Sequence, residues 1–206
     1  MITPRKVVLA TGNPGKLREL QRLLGDDYEL IPQTDLDVRS VEETGQTFRD
    51  NAILKARHAA AATGLPAIAD DSGLEVDALN GAPGVRSARF AGPGADDQAN
   101  NKLLLERLAN VLPPERNARF RCVIAYVASA DDAAPLIAEG VWEGQIATEP
   151  SGANGFGYDP LFIDPETGGT SAALPAAEKN RRSHRGKAVR KLCALLDGRS
   201  GDRDPD

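Results

Sequence analysis

Residues 7–20 read VVLATGNPGKLREL: an apolar run, a glycine-rich turn and the start of an amphipathic stretch. A buried strand that turns at once into a helix is the opening unit of an α/β protein. The strand is expected over residues 6–10 and the helix over 16–24, with Gly25 as its stop. The turn, Thr11-Gly12-Asn13-Pro14-Gly15-Lys16, has two readings. Its glycines permit close backbone approach, the helix start offers unpaired N–H groups, and Lys16 can reach a phosphate as a point charge. Yet Gly12 and Gly15 are too close together for G-x-x-x-x-G-K-[ST], and Leu17 replaces the hydroxyl, so no P-loop is present. A tight strand-to-helix turn accounts for the same residues.

Outward from this unit, a second strand is expected over 28–32, then an acidic connection ending in Glu42-Glu43-Thr44-Gly45. Thr47, with Asp50 three residues on, forms a weak capping box opening a long helix that ends near Gly64. Residues 67–69 read as the end of a short buried strand, and Asp70-Asp71-Ser72-Gly73 as the segment that follows it. The stretch ALNGAPGVRSARFAGPG is loop-rich. A helix from Asp96 or Asp97 to about Val111 is stopped by Pro113-Pro114. Residues 119–128 and 136–147 read as an antiparallel strand pair, and SGANGFGYDP leads into LFI. The last helix is expected over 183–196, and the final nine residues, GRSGDRDPD, as a disordered tail. Helices before and after the central strands indicate an α/β fold with a mixed sheet, as one domain over 1–197 with a tail at 198–206.

Composition narrows the function classes. The 206 residues are 41% apolar and 27% charged, as in a soluble globular protein. No apolar run approaches the ~18 residues of a membrane span. The start, MITPRKVVLA, has too short an apolar run for a signal peptide, so the cytoplasm is expected. A net charge of −5 argues against general nucleic-acid binding. Cys122 and Cys193 read as buried thiols, and His58 and His184 are not spaced as a zinc pair. The basic run KNRRSHRGKAVRK at 179–191 is either a solvated helix face or an anion site.

Several segments carry chemistry. Asp70-Asp71-Ser72 lies at a strand end, where α/β proteins place ligands, and alternation lets only one aspartate face a given pocket. With Glu42 and Glu43 it forms an oxygen donor set that suits Mg²⁺ better than zinc. Lys55 is either a solvent-facing lysine or a second cation for a polyphosphate. Phe156, Gly157, Tyr158 and Asp159, with Lys179, His184 and Arg185, either turn into a strand or hold a purine. Donors matched to a 6-oxo acceptor would leave a 6-amino purine unmatched.

In order along the chain, ATGNPGKLREL, EETGQTFRDNAILKA, ADDSGLEVDALNGAPGVRSARFAG, GFGYDP and SHRGKA resemble the inosine triphosphate pyrophosphatase family. The similarity is closest to its bacterial XTP/dITP diphosphatase branch, with Asp50 where the family often has glutamate. The resemblance implies an elongated mixed sheet flanked by helices, two lobes around a central cleft, and a homodimer. It also implies Mg²⁺-dependent hydrolysis of ITP, dITP and XTP to a monophosphate and pyrophosphate. By position, Thr11, Gly12, Asn13, Pro14, Gly15, Lys16 and Lys55 would hold the triphosphate. Asp71 would activate water and, with Glu43 or Glu42, bind metal, and Ser72 would contact substrate. Phe156, Gly157, Tyr158, Asp159, Lys179, His184 and Arg185 would recognise the base. Two rivals remain: a Maf-like pyrophosphatase of different base choice, and a non-catalytic RNA binder using the basic C-terminal helix.

Overall fold

A computed structural model describes residues 4–12, 16, 17, 20, 21, 24 and 28–201. The apolar runs become six strands: β1 (Arg5–Leu9), β2 (Tyr28–Pro32), β3 (Ala67–Val76), β4 (Asn117–Val127), β5 (Leu136–Ile146) and β6 (Phe162–Ile163). They form one sheet in the order β2-β1-β3-β4-β5-β6. β1 is parallel to β2 and β3, while β6 is antiparallel to β5, so the sheet is mixed. Parallel neighbours require helical crossovers. Between β1 and β2, residues Lys16, Leu17, Leu20, Gln21 and Leu24 are helical, and α1 (Phe48–Thr63) joins β2 to β3. The other helices are α2 (Asp97–Arg107), α3 (Ala176–Arg182) and α4 (His184–Gly201). The fold class is α/β, as the pattern indicates.

The chain divides into two compact units. The first comprises 1–71, 122–139 and 186–206; the second comprises 72–121 and 140–185. Val7, Leu9, Ile68 and Ile124 meet Ala188 and Leu192 in the core of the first unit. Cys122 is buried in this cluster as a thiol, whereas Cys193, also a thiol, is only half-buried against it. In the second unit Leu74, Leu104, Phe120, Trp142, Tyr158 and Phe162 share a core.

The capping box at Thr47 forms. Its hydroxyl accepts from Asp50 N at 3.1 Å and donates to the Asp50 carboxylate at 2.7 Å. At the other end Gly64 adopts φ 68° and closes α1. Three expectations change. Asp70-Asp71-Ser72-Gly73 is not a turn after a short strand, because β3 runs through it to Val76. β3 lies beside β4 in the sheet, past its short pairing with β1 at Ala67 and Ile68, and lysines compensate the buried carboxylates. The last helix begins at His184, with Ser183 extended at ψ 156° directly before it, where a capping serine is expected. α4 then continues past Leu196 to Gly201, taking in the first residues of the segment expected as a tail. Once Ala188, Leu192 and Leu196 anchor a helix, each further residue adds a backbone bond at little cost.

The third change has a long-range cause. α2 ends at Arg107 rather than near Val111. Arg116 Nη2 and Nε donate to the carbonyls of Leu108 and Val111 at 2.8 and 3.0 Å. Its Nη1 donates to Ala147 O at 3.1 Å. One guanidinium therefore satisfies carbonyls just past the helix end that continued helix would have satisfied, and its charge suits a helix C-terminus. Arg116→Ala removes a donor from three carbonyls, of which Leu108 O keeps Val111 N at 3.0 Å, and unfolding stability should fall by roughly 1–3 kcal/mol. A shift in the urea midpoint at unchanged slope measures this.

Candidate active site

In the first unit, strand alternation sends the two aspartates of β3 to different lysines. Asp70 Oδ2 lies 3.1 Å from Lys16 Nζ, and Asp71 Oδ1 lies 2.9 Å from Lys55 Nζ. Lys55 also donates to Glu43 Oε1 at 2.8 Å, so its ammonium bridges two carboxylates. Helix α1 supplies both Lys55 and Asn51, four residues apart on one face. Asn51 is fully buried; its Nδ2 donates to Asp71 Oδ2 at 3.3 Å and its Oδ1 accepts from Gly45 N at 2.8 Å. A Cβ on Gly45 would strike Asn51 and Asp50, so only glycine lets this loop dock. Docking carries Glu43 into the cluster, while Glu42 stays exposed and outside it.

Burial pushes the Asp71 carboxyl above its ordinary pKa; Lys55 and Lys16 pull it down, and Glu43 adds to the rise. Burial also works against the Lys55 ammonium, but the attraction of Asp71, Asp70 and Glu43 outweighs it and raises its pKa. Among the described residues these ion pairs join two ammoniums to three carboxylates, an excess of negative charge.

The second unit holds a different set. Asp159 is 2% exposed and fully engaged: Oδ1 accepts from Ser171 Oγ at 2.7 Å, and Oδ2 from Lys179 Nζ and Phe156 N at 2.5 and 2.9 Å. The Phe156 ring, half-buried, has Lys179 Nζ at 5.1 Å and Arg185 Cζ at 5.6 Å from its centroid. Arg185 Nη2 donates to Ser72 Oγ at 3.3 Å. His184 stacks on Phe120 with centroids 4.7 Å apart. Tyr158 turns into the core, its hydroxyl donating to Ser87 O at 2.8 Å, and burial pushes its pKa up.

The Ham1 family model matches residues 7–195. This chain belongs to the Ham1 family. It is 60% identical to a dITP/XTP pyrophosphatase of Thioalkalivibrio sulfidiphilus, covering 94% of this chain and 100% of that one. Against the dITP/XTP pyrophosphatase of Escherichia coli (strain K12), identity is 56%, with 93% and 98% covered. Among solved structures, a HAM1 protein from Coxiella burnetii superposes with a TM-score of 0.88 at 52% identity, covering 94% of this chain and 99% of that one.

In this Ham1-family chain the expected site residues fall into three groups. Lys16, Lys55, Asp71 and Glu43 come together in the first unit, and Ser72, Phe156, Asp159, Lys179 and Arg185 in the second. Asn13, Pro14 and Gly15 lie outside the described residues. Thr11 and Gly12 follow β1, and a Cβ on Gly12 would stand 3.7 Å from Ser40 Oγ, an ordinary contact. Tyr158 packs in the core, and the Asp159 carboxylate bonds Ser171, Lys179 and the Phe156 amide. Sequence reasoning missed Asn51, although an asparagine inside an alanine-rich helix is a poor helix former and signals a polar task.

The basic run at 179–191 also resolves residue by residue. Arg181 and Arg182 pair with Glu178, and Arg182 further with Asp164 and Glu166, whereas Lys179, His184 and Arg185 are buried. Gly155 sits at φ 81°, and a Cβ there would collide with the Asp159 carboxylate. Gly155→Ala should therefore displace Lys179 and the Phe156 amide together. Substrate KM should rise about tenfold or more as those contacts are misplaced, read from steady-state kinetics.

Proposed function

We propose that this chain hydrolyses non-standard purine nucleoside triphosphates, ITP, dITP and XTP, to the monophosphate and pyrophosphate with Mg²⁺. We further assign it to the cytoplasm as a homodimer, as the family resemblance implies; no helix among the described residues is long and apolar enough to cross a membrane. The observation that carries the reading is Asp71, a buried carboxylate with a raised pKa, held by Lys55 and Asn51 beside Glu43. The names of the relatives, dITP/XTP pyrophosphatase, agree with it.

The residues fit a divalent metal. Their donors are hard oxygens, and the excess negative charge would repel a polyphosphate unless a cation compensated it. Glu43 and Asp71 would hold Mg²⁺, which typically uses one or two carboxylates together with substrate phosphates. Bound there, it would neutralise charge on the phosphates. That shared mode accounts for a site without a dedicated cage of three acidic or histidine ligands among the described residues.

The chain's own groups supply the rest. Lys16 and Lys55, with the backbone at Thr11 and Gly12, hold the phosphates. Asp71 takes the proton of the attacking water, and Asn51 fixes the carboxylate that does so. Phe156 offers a stacking face for the base. Lys179 and Arg185 can only donate hydrogen bonds, so they match the oxygen at purine position 6 and find nothing to bond in an amino group. Ser72 and His184 complete the contacts.

The test compares pyrophosphate release from ITP, XTP, ATP, dTTP and UTP with Mg²⁺. Preference for ITP and XTP is expected; preference for pyrimidines would favour a Maf-like base choice and overturn the reading.

A further inference from the structure

The first turn of α2 grips one peptide residue of the aromatic loop. Gly157 N donates to Asp97 Oδ2 at 2.6 Å, and Gly157 O accepts from Asn101 Nδ2 at 2.9 Å. Asp97 and Asn101 are four residues apart, so they stand on one face of the helix. Gly157 has φ 62°, a left-handed conformation that a glycine adopts without strain. Both of its backbone polar groups are taken by side chains of a helix some sixty positions earlier, at sequence separations of 60 and 56.

Neighbouring bonds complete the clamp. Asn100 Oδ1 accepts from Ala91 N at 2.8 Å and its Nδ2 donates to Ala88 O at 3.3 Å, tying the same helix to the segment that carries Ser87. Ser87 O in turn receives the Tyr158 hydroxyl. On the far side of Gly157, Asp159 holds the Phe156 amide and Lys179. The loop carrying Phe156 is therefore fixed from α2 on one flank and from Asp159 on the other. A charged acceptor at 2.6 Å makes Asp97 the stronger of the two α2 contacts.

We propose that Asp97 and Asn101 are positioning residues for base discrimination: they hold Gly157 so that the Phe156 ring, with Lys179 and Arg185 against it, keeps the geometry that separates 6-oxo from 6-amino purines. This rests on the assignment of Phe156 to the base. Their printed contacts fall on the Phe156 loop of the second unit, so their effect falls on base binding.

The experiment measures kcat and KM for ITP and ATP in the full chain and in Asp97→Ala, Asn101→Ala, Asp97→Asn and Phe156→Ala, with melting curves for each. Asp97→Ala should raise KM for ITP about tenfold, the loss of one charge-assisted hydrogen bond. kcat should change little, and the ITP-over-ATP margin should shrink. Asn101→Ala should do the same more weakly, and it serves alone if Asp97→Ala fails to fold. Asp97→Asn keeps an acceptor for Gly157 N and should recover most of the margin. A Phe156→Ala variant with an unaltered margin would overturn the base assignment and this inference with it. A narrowed margin in Phe156→Ala but not in Asp97→Ala or Asn101→Ala would overturn the inference alone. Equal loss of kcat for both nucleotides, tracking the fall in melting temperature, would also overturn it.

Discussion

Asp71→Asn should lower kcat by about 10²–10⁴-fold, the usual contribution of a positioned general base, while the protein stays folded. Asparagine keeps the shape of the side chain and an oxygen for Lys55, which retains Glu43 as a charged partner at 2.8 Å. Folding should tolerate the change because burial already disfavours the charge on this carboxyl. The pH profile gives a second reading of the same group. A carboxyl with a raised pKa keeps its proton at pH values where a free aspartic acid has lost it, and a base must be unprotonated to act. The acid limb of kcat/KM should therefore lie above the ordinary aspartate value of about 3.9. Near-normal turnover in Asp71→Asn would remove this residue from the chemistry.

Lys55→Met should cost both stability and rate. Its ammonium is 2.8 Å from Glu43 and 2.9 Å from Asp71, and the lysine and aspartate side chains are only 14% and 7% exposed. Removing the partner of a buried carboxylate typically costs about 3–5 kcal/mol, and here it takes one ammonium from both Glu43 and Asp71. Turnover should fall roughly 10²–10³-fold through lost charge on the phosphates. Because the carboxylates lose their organic cation, Mg²⁺ should raise the melting temperature of Lys55→Met more than that of the parent chain. Asp71 should also become harder to ionise without Lys55, moving the acid limb of kcat/KM upward. A Lys55→Met variant with parental stability and rate would contradict the charge balance described for this cluster.

The residues that local patterns govern were the ones open to sequence reading. β2 occupies Tyr28–Pro32 as the apolar run implies, and Thr47 and Gly64 bound α1 through capping chemistry that acts within four residues. Strand alternation separated Asp70 from Asp71, and the two do go to different lysines. What stayed hidden depends on distant partners. Arg116 ends α2 from beyond the helix, and neither Leu108 nor Val111 carries a local signal of that. Turn propensity at Asp-Ser-Gly lost to the pairing of β3 inside the sheet. Nothing near Asp159 in sequence names Ser171 and Lys179 as the partners of its carboxylate. The lysines were legible as cations but not as bridges, since nothing near Lys55 in sequence names Glu43 or Asp71 as its partners.

The central claim is that Asp71 and its cationic neighbours hydrolyse the bond between the α- and β-phosphates of a 6-oxo purine triphosphate. Identification of every product formed from ITP with Mg²⁺ tests it most directly. Inosine monophosphate and pyrophosphate in equal amounts, with no orthophosphate, is the predicted result. Inosine diphosphate and orthophosphate would contradict it.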